Sequence, residues 1–374
     1  MAHIKSIEIN SYRGIKALSV SDFSKINLVV GDNNSGKTSF LEAFQLLFCN
    51  TQLGALKNII NQRTILNPEK GSFYVSFIKM FNMTQKTARK EFDIYAESNS
   101  GILRFQLDGN EHSISGDEAL QLSNLSPREK MQYKRNLVVL PENAKIFTGN
   151  IAAQIGENYL QQEIRCTSLD GGFPGISLKK EIQYMPSFGH LRYDLLQNIV
   201  ENLEYKKLAI DILRQFDTGI ADICYTKTDD GSYLETIITV DGVMMPFSVY
   251  GDGIKKILYI LNKLFESSDS ILLIDEIETG LHKKYYDILF PVIFALADRL
   301  NVQLFIATHS MEAIDAILRY GDYENIDRKE DSIKVITLRK LENKGENEGN
   351  IVARNVTGKY VYENRKVFEY EVRL

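Results

Sequence analysis

The pattern of apolar and polar residues predicts strands and one helix in the first third of the chain. Residues 3–10 largely alternate between apolar and polar side chains, as a half-buried strand does. Residues 26–30 form a short β-rich apolar run, and 39–48 form a helical run. Three further β-rich segments, with turn-forming residues between or after them, predict a meander: 73–78, 91–95 and 101–107.

The rest of the chain predicts a mixture of helices and buried strands. Residues 116–181 combine helical runs with a glycine-rich loop, and Ser126 caps a helix that begins with Pro127. Residues 190–216 predict a long helical stretch whose apolar stripe we interpret as core: Leu195, Leu196, Ile199, Val200 and Leu203. Strands are predicted at three places, 234–240, 270–274 and 302–307. Residues 331–370 predict two or three charged strands or a hairpin.

A glycine-rich loop connects the strand at 26–30 to the helix at 39–48. Residues 31–38 read G-D-N-N-S-G-K-T, the form G-x-x-x-x-G-K-T of a phosphate-binding P-loop. Strand, loop and helix together direct backbone N–H groups and a helix N-terminus at an anion. We expect Lys37 to reach the β- and γ-phosphates and the Thr38 hydroxyl to hold Mg²⁺. The residues expected to bind the nucleotide are Gly31, Asn33, Asn34, Ser35, Gly36, Lys37, Thr38 and Ser39.

Two later strands end in residues that suit the same chemistry. The apolar run at 270–274 is followed by Asp275 and Glu276, as in a buried parallel strand that carries carboxylates at its carboxyl edge. We expect Asp275 to hold Mg²⁺, directly or through water, and Glu276 to orient and polarise the attacking water. The strand at 302–307 leads to His309, which can hydrogen-bond a γ-phosphate and sense its loss.

A second turn that could bind an anion precedes the strand that leads to Asp275. Ser248, Gly251 and Gly253 lie just before a predicted helix, and their backbone N–H groups form a second anion-binding nest. One nucleotide does not need two nests. The simplest interpretation is that this nest serves the nucleotide of a second subunit, in a two-fold dimer with ATP in the interface.

Composition limits the partners. The net charge of −5 disfavours a nucleic-acid binder that uses its whole surface, but it leaves room for a local basic groove. The densest basic cluster follows Ser126, and it is either a solvated helix face or a nucleic-acid contact: Arg128, Lys130, Lys134 and Arg135. Arg13, just upstream of the P-loop, either reaches the nucleotide or is a solvated turn residue.

The cellular compartment is also indicated. The three cysteines are scattered and form no C-x-x-C pair, which suits a reducing cytosol and argues against zinc or a disulfide framework. The first residues contain no apolar signal stretch, and no run approaches the roughly 20 apolar residues of a membrane span. We therefore expect a soluble, cytoplasmic protein without a membrane partner.

Taken in order, the motifs resemble the ABC-type ATPase heads of the RecF/SMC/OLD group. The resemblance rests on the P-loop, S-x-x-G-D-G at 248–253, I-L-L-I-D-E-I-E-T-G-L-H at 271–282 and I-A-T-H-S at 306–310. It is closest to stand-alone OLD-like "AAA family" ATPases without a Toprim domain. It implies an α/β P-loop NTPase fold of ABC-ATPase type, a mixed sheet with an N-terminal β-meander lobe and a helical insertion. The lobes implied are 1–115, 116–181 and 182–374.

The resemblance also implies roles and partners. Glu276 resembles the catalytic base, 248–253 the signature motif that acts in trans, and His309 the switch histidine. Glu278 to His282 resemble the D-loop region, and Arg13 resembles an arginine placed near the nucleotide, whereas no glutamine can be assigned to the Q-loop. The implied protein binds and hydrolyses ATP with Mg²⁺ as a homodimer or higher even-numbered oligomer. It would control an effector encoded nearby, such as a nuclease, in phage defence or DNA-damage response. The alternatives are a RecF-like repair ATPase that binds DNA directly and a protein that binds ATP without turnover.

Overall fold

A computed structural model describes residues 3–62, 73–82, 87–135, 138–170, 181–191, 194–324, 332–341 and 349–368. Its strands are β1 Ile4–Tyr12, β2 Ile15–Ser21, β3 Ile26–Val30, β4 Arg89–Ser98, β5 Gly101–Ile114, β6 Ala144–Ile155, β7 Asn158–Thr167, β8 Ile182–Met185, β9 Ile220–Lys227, β10 Tyr233–Thr239, β11 Met244–Pro246, β12 Ile271–Ile274, β13 Gln303–Thr308, β14 Ile333–Lys340 and β15 Ile351–Thr357. Its α-helices are α1 Lys37–Leu47, α2 Leu53–Asn61, α3 Phe73–Ile78, α4 Gly116–Leu122, α5 Pro127–Lys134, α6 Gln197–Val200, α7 Leu203–Leu213, α8 Asp252–Glu266, α9 Tyr286–Arg299, α10 Met311–Tyr320 and α11 Gly358–Phe368.

The central sheet places the ends of its parallel strands at one edge. Its order is β15-β14-β3-β13-β12-β8, and every neighbouring pair except β14 with β15 is parallel. Both faces of this sheet are covered, so β3, β12 and β13 are buried along their whole length, as their unbroken apolar sequences predict. The predicted strands at 26–30, 270–274 and 302–307 are confirmed.

The N-terminal lobe is an antiparallel sheet of six strands in the order β2-β1-β4-β5-β6-β7. It packs on α1, where Phe44 lies 4.3 Å from Phe305 of the central sheet, measured between ring centroids. The predicted meander strands at 91–95 and 101–107 are confirmed within β4 and β5.

Two predictions in this lobe are wrong. Residues 73–78 form the helix α3, because Phe73, Tyr74 and Phe77 then bury one face against the aromatic cluster around Phe81 and Phe147. Tertiary packing overrides the β-propensity of these residues. The helix predicted after Ser126 is confirmed as α5, whereas 144–167, expected to be helical or loop, form the β6–β7 hairpin. The glycine-rich loop expected at 171–175 lies outside the described residues.

The C-terminal lobe is built from helices and a small sheet of order β11-β10-β9. The long helical stretch expected at 190–216 is interrupted, since α6 ends at Val200 and α7 begins at Leu203. Leu195, Leu196 and Ile199 are core as predicted, but Leu203 is 68% exposed. The hairpin expected after 331 is β14–β15, whereas the helix α11 that follows it was not predicted. Among the helices of the described segments, none is both long and apolar enough to cross a membrane.

Candidate active site

The loop between β3 and α1 requires glycine at two positions. Gly31 has φ of +150° and Gly36 has φ of +96°, in a region that side chains rarely adopt. A Cβ on Gly36 would lie 2.6 Å from Cδ1 of Ile351, and one on Gly31 would lie 2.3 Å from the carbonyl oxygen of Leu338. The β14–β15 hairpin therefore packs directly on the loop and holds it between β3 and α1.

The side chain of Lys37 lies inside this loop. Its Nζ donates hydrogen bonds to the carbonyl oxygens of Gly31, at 2.7 Å, and Asp32, at 2.8 Å. Burial lowers the pKa of Lys37, and the nearby Asp275 and Glu276 carboxylates oppose that shift. The ammonium is thus held at the loop by backbone contacts and by a negative field.

Thr38 and Asp275 meet across the sheet. The Thr38 hydroxyl donates a hydrogen bond to Oδ2 of Asp275 at 3.0 Å, and the Tyr184 hydroxyl donates to the same oxygen at 3.1 Å. Burial raises the pKa of Asp275, while the hydrogen bond from Thr38 lowers it. A hydroxyl and a carboxylate oxygen in contact are a donor set that fits Mg²⁺, a hard cation that takes oxygen ligands.

Tyr184 was not predicted from the sequence. It lies on β8, which pairs in parallel with β12 so that Met185 is opposite Ile274. The strand-edge rule that selected Asp275 would have selected the end of β8 as well. The signal was missed because a four-residue strand has little periodicity of its own.

An open cavity of about 640 Å³ joins the loop to the acidic strand end. Its lining contains Gly14, Asn33, Asn34, Gly36, Lys37, Thr38, Ser39, Asp275, Glu276 and Ile351. Glu276 has a φ of +48°, which costs a non-glycine residue about 1 kcal/mol, and the Thr279 hydroxyl donates to its Oε2 at 3.3 Å. Such a conformation is often retained where a side chain must point into a site.

His309 follows β13 at the same edge of the sheet. Thr308 pairs with Val30, and Ile306 with Ile274, so the histidine emerges between the P-loop strand and the acidic strand. Its side chain is 44% exposed and lies 3.0 Å from Glu278, measured from Nδ1 to Oε1. It is not among the described residues that line the cavity.

The residues of the predicted second nest lie outside the cavity of their own P-loop. Ser248 and Gly251 are exposed, and Gly251 is the N-cap of the fifteen-residue helix α8. Gly253 lies close to the segment that follows β12, because a Cβ added to it would be 3.7 Å from the carbonyl oxygen of Gly280. None of these three glycine and serine residues belongs to the described lining of the cavity.

Arg13 lies next to a residue that lines the cavity, but its side chain contacts Glu42 and Tyr12. Its Nε is 2.8 Å from Oε2 of Glu42, on α1, and 3.1 Å from the Tyr12 hydroxyl. The side chains of Arg13 and Glu42 are 12% and 1% exposed. Its neighbour Gly14 lines the cavity, so a contact from Arg13 to a nucleotide remains a prediction.

A P-loop, an acidic strand end and a histidine on adjacent parallel strands, beside a lobe that bears a second nest, define an ABC-type ATPase of the RecF/SMC group. The chain belongs to the AAA domain family described as "putative AbiEii toxin, Type IV TA system", whose model matches residues 26–315. The expectations of an ABC-type ATPase and of its fold are thereby confirmed.

Individual proteins extend this result. An "ATP/GTP phosphatase" of Helicobacter pylori is 24% identical over 353 residues, which are 86% of this chain and 90% of that protein. "DNA replication and repair protein RecF" of Shewanella sp. (strain MR-4) is 28% identical over 141 residues, so the match spans 38% of this chain and only 33% of RecF. A crystal structure of "the SmcHead bound to the C-winged helix domain of ScpA" aligns with 96% of this chain and 99% of that chain, at a TM-score of 0.50 and 12% identity. That likeness concerns the fold alone.

Proposed function

We propose that this ATPase hydrolyses ATP in a head-to-head dimer, with Mg²⁺ and two nucleotides between the subunits. The observation that carries the proposal is that the predicted second nest lies outside the cavity of the P-loop. The P-loop shares its cavity with Asp275 and Glu276, whereas Ser248 and Gly251 are exposed outside that cavity. In a dimer whose two-fold axis brings the nest of one chain to the P-loop of the other, both sites would bind the same nucleotide.

Each side chain has a role in this proposal. Gly31 to Thr38 bind the phosphates through backbone N–H groups, and Lys37 moves from the loop carbonyls to the β- and γ-phosphates. Thr38 and Asp275 would hold Mg²⁺, which neutralises charge that develops on the phosphoryl oxygens. Glu276 orients the attacking water, and its carboxylate accepts the hydrogen bond that fixes the water in line.

A role for the nest in trans predicts the behaviour of Ser248→Arg. The larger side chain fills the nest and projects into the proposed interface, so we expect an ATP analogue to give no dimer and kcat to fall about 100-fold or more. Light scattering after size exclusion and phosphate release measure the two effects. Ser19→Arg, on an exposed position of β2, is the matched control and should leave both unchanged. A Ser248→Arg protein that dimerises and turns over ATP like the parent would contradict the proposal.

We also propose that the nucleotide cycle controls a separate effector. The description of the family as a putative toxin of a toxin–antitoxin system supports a place in defence, and the partial similarity to a protein named for DNA replication and repair supports a DNA-damage response. A nuclease is the effector class that joins these settings. In this proposal, the ATP-bound dimer and the open monomers present different surfaces to that partner.

A second candidate function, direct DNA binding, is favoured by the helix α5. None of its residues is buried, and Arg128 and the C-cap residue Arg135, at i and i+7, share one exposed face, while Lys134 is exposed as well. The Glu129 carboxylate is held in the capping box, where it accepts from the backbone N–H of Ser126 at 2.8 Å, so it does not neutralise that face. A basic face on an exposed helix suits a phosphate backbone.

Charge reversal tests this alternative. We expect a triple variant that carries R128E, K134E and R135E to bind duplex DNA more weakly at low salt. The slope of log K against log salt should fall by up to about 2.7, since each lost phosphate contact contributes about 0.9. Fluorescence anisotropy at several salt concentrations measures both. If the parent does not bind DNA at 50 mM salt, or the variant binds equally well, α5 is not a DNA contact. The control variant carries K5E, K227E and K359E, which reverse the same number of charges elsewhere in the chain.

A further inference from the structure

We infer that Glu278 is a positioning residue for ATP hydrolysis, which fixes the imidazole ring of His309 so that Nε2 faces the nucleotide. This inference rests on the proposed function together with the prediction that His309 contacts the γ-phosphate. Glu278 belongs to the segment after β12 and is not among the described residues that line the cavity. Its role would therefore be exerted through His309.

Glu278 holds the histidine at two points. Its Oε1 accepts a hydrogen bond from the backbone N–H of His309 at 3.1 Å. The same oxygen lies 3.0 Å from Nδ1 of the ring, although the alignment is not that of a complete hydrogen bond. A single carboxylate oxygen thus fixes both the start of the segment after β13 and the inner edge of the imidazole.

Burial gives the direction of the ring. The Nδ1 atom is buried, whereas the side chain as a whole is 44% exposed, so the outer edge that carries Nε2 is the part facing solvent. The Glu278 side chain is only 11% exposed, and its Oε2 is buried without a hydrogen-bond partner among the described residues. A small rotation of the ring or the carboxylate would complete the bond to Nδ1. Catalytic hydrogen bonds commonly tighten in this way when substrate binds.

The carboxylate of Glu278 determines which ring nitrogen of His309 can donate a hydrogen bond. An ionised carboxylate only accepts, so the nitrogen that faces Glu278 must carry a hydrogen. Nε2 is then the nitrogen available to the nucleotide. It accepts from the attacking water when the ring is neutral, and it donates to a γ-phosphate oxygen when the ring carries a second proton.

The same carboxylate also influences the pKa of a buried lysine on α8, the helix that begins at the predicted second nest. Lys256, on α8, is fully buried and donates from Nζ to the carbonyl oxygen of Ser187 at 2.9 Å. Burial lowers the pKa of Lys256 to about 8, and the Glu278 carboxylate is the largest opposing influence. Glu278 therefore lies within electrostatic reach of both His309 and Lys256 on α8.

A double-mutant cycle tests the inference. We expect Glu278→Gln to lower kcat about 10- to 100-fold with KM changed less than about threefold, because an outer partner orients a reacting group without binding the nucleotide. In a His309→Ala background, the same substitution should lower kcat by less than about twofold, since its target is gone. Phosphate release gives the rates, and thermal unfolding checks that both proteins fold.

The outcomes separate this inference from the proposed function. Glu266→Gln, at the far end of α8, is the control and should retain the parent rate. A parent kcat kept by Glu278→Gln, or losses that multiply in the double variant, would overturn the positioning role while leaving the ATPase dimer intact. A parent protein that hydrolyses no ATP would overturn the proposed function itself.

Discussion

Glu276→Gln is expected to reduce ATP hydrolysis about 100-fold or more while ATP binding is retained. Glutamine keeps the shape of the side chain, and its amide oxygen still accepts a hydrogen bond, but it lacks the negative charge that polarises the attacking water and cannot take its proton, a function worth roughly 10²–10⁴ in rate. The phosphate-binding loop, Lys37 and Thr38 are untouched, so the affinity for ATP should change little. We expect the variant to accumulate as an ATP-bound dimer, because the step that separates the subunits is lost.

Phosphate release and light scattering with ATP check this result. Glu97→Gln, at an exposed position of β4, is the matched control and should hydrolyse ATP and dissociate normally. Hydrolysis at the parent rate would remove Glu276 from the mechanism. The trapped dimer also tests control of an effector, since a partner that reads the ATP-bound state should co-purify with Glu276→Gln and not with Ser248→Arg.

The residues of the site could be found in the sequence because each motif is local. The P-loop is a continuous stretch whose glycines and lysine must follow one another, and Asp275 and Glu276 terminate an apolar run long enough to be recognised. The structure brings Thr38 and Asp275 together although 237 residues separate them. Their pairing follows from one rule, the common edge of parallel strands.

Contacts that depend on packing could not be found in this way. Glu278 and His309 are 31 residues apart, and neither sequence segment contains a pattern that predicts the hydrogen bond between them. The β6–β7 hairpin was missed because Gly156 was not recognised as part of a two-residue turn, although Ile155 pairs with Asn158. Arg13 shows the same limit, because its partner Glu42 is on the helix after the P-loop.

The second large effect is expected from Lys37→Ala, which should weaken ATP binding on the order of 100-fold and abolish measurable hydrolysis. Loss of one partner of a desolvated charge contact typically costs 2–5 kcal/mol, and Lys37 is 8% exposed at a cavity that must receive a polyanion. The loop should keep its shape, because the positive φ of Gly31 and Gly36 and the packing of Ile351 do not involve this ammonium.

Isothermal titration with ATP and Mg²⁺ measures the binding loss, and phosphate release measures the rate. Lys37→Arg is the control for charge alone: guanidinium keeps the positive charge but cannot enter the space in which Nζ lies within 2.8 Å of two loop carbonyls, so it should recover part of the affinity and little of the rate. Full activity in Lys37→Arg would mean that charge suffices, and full ATP affinity in Lys37→Ala would mean that the nucleotide binds elsewhere. Because Lys37 does not belong to the second nest, Lys37→Ala also tells the two proposed anion sites apart. Any ATP-dependent dimer that Lys37→Ala still forms would have to be held together without a nucleotide at its P-loop.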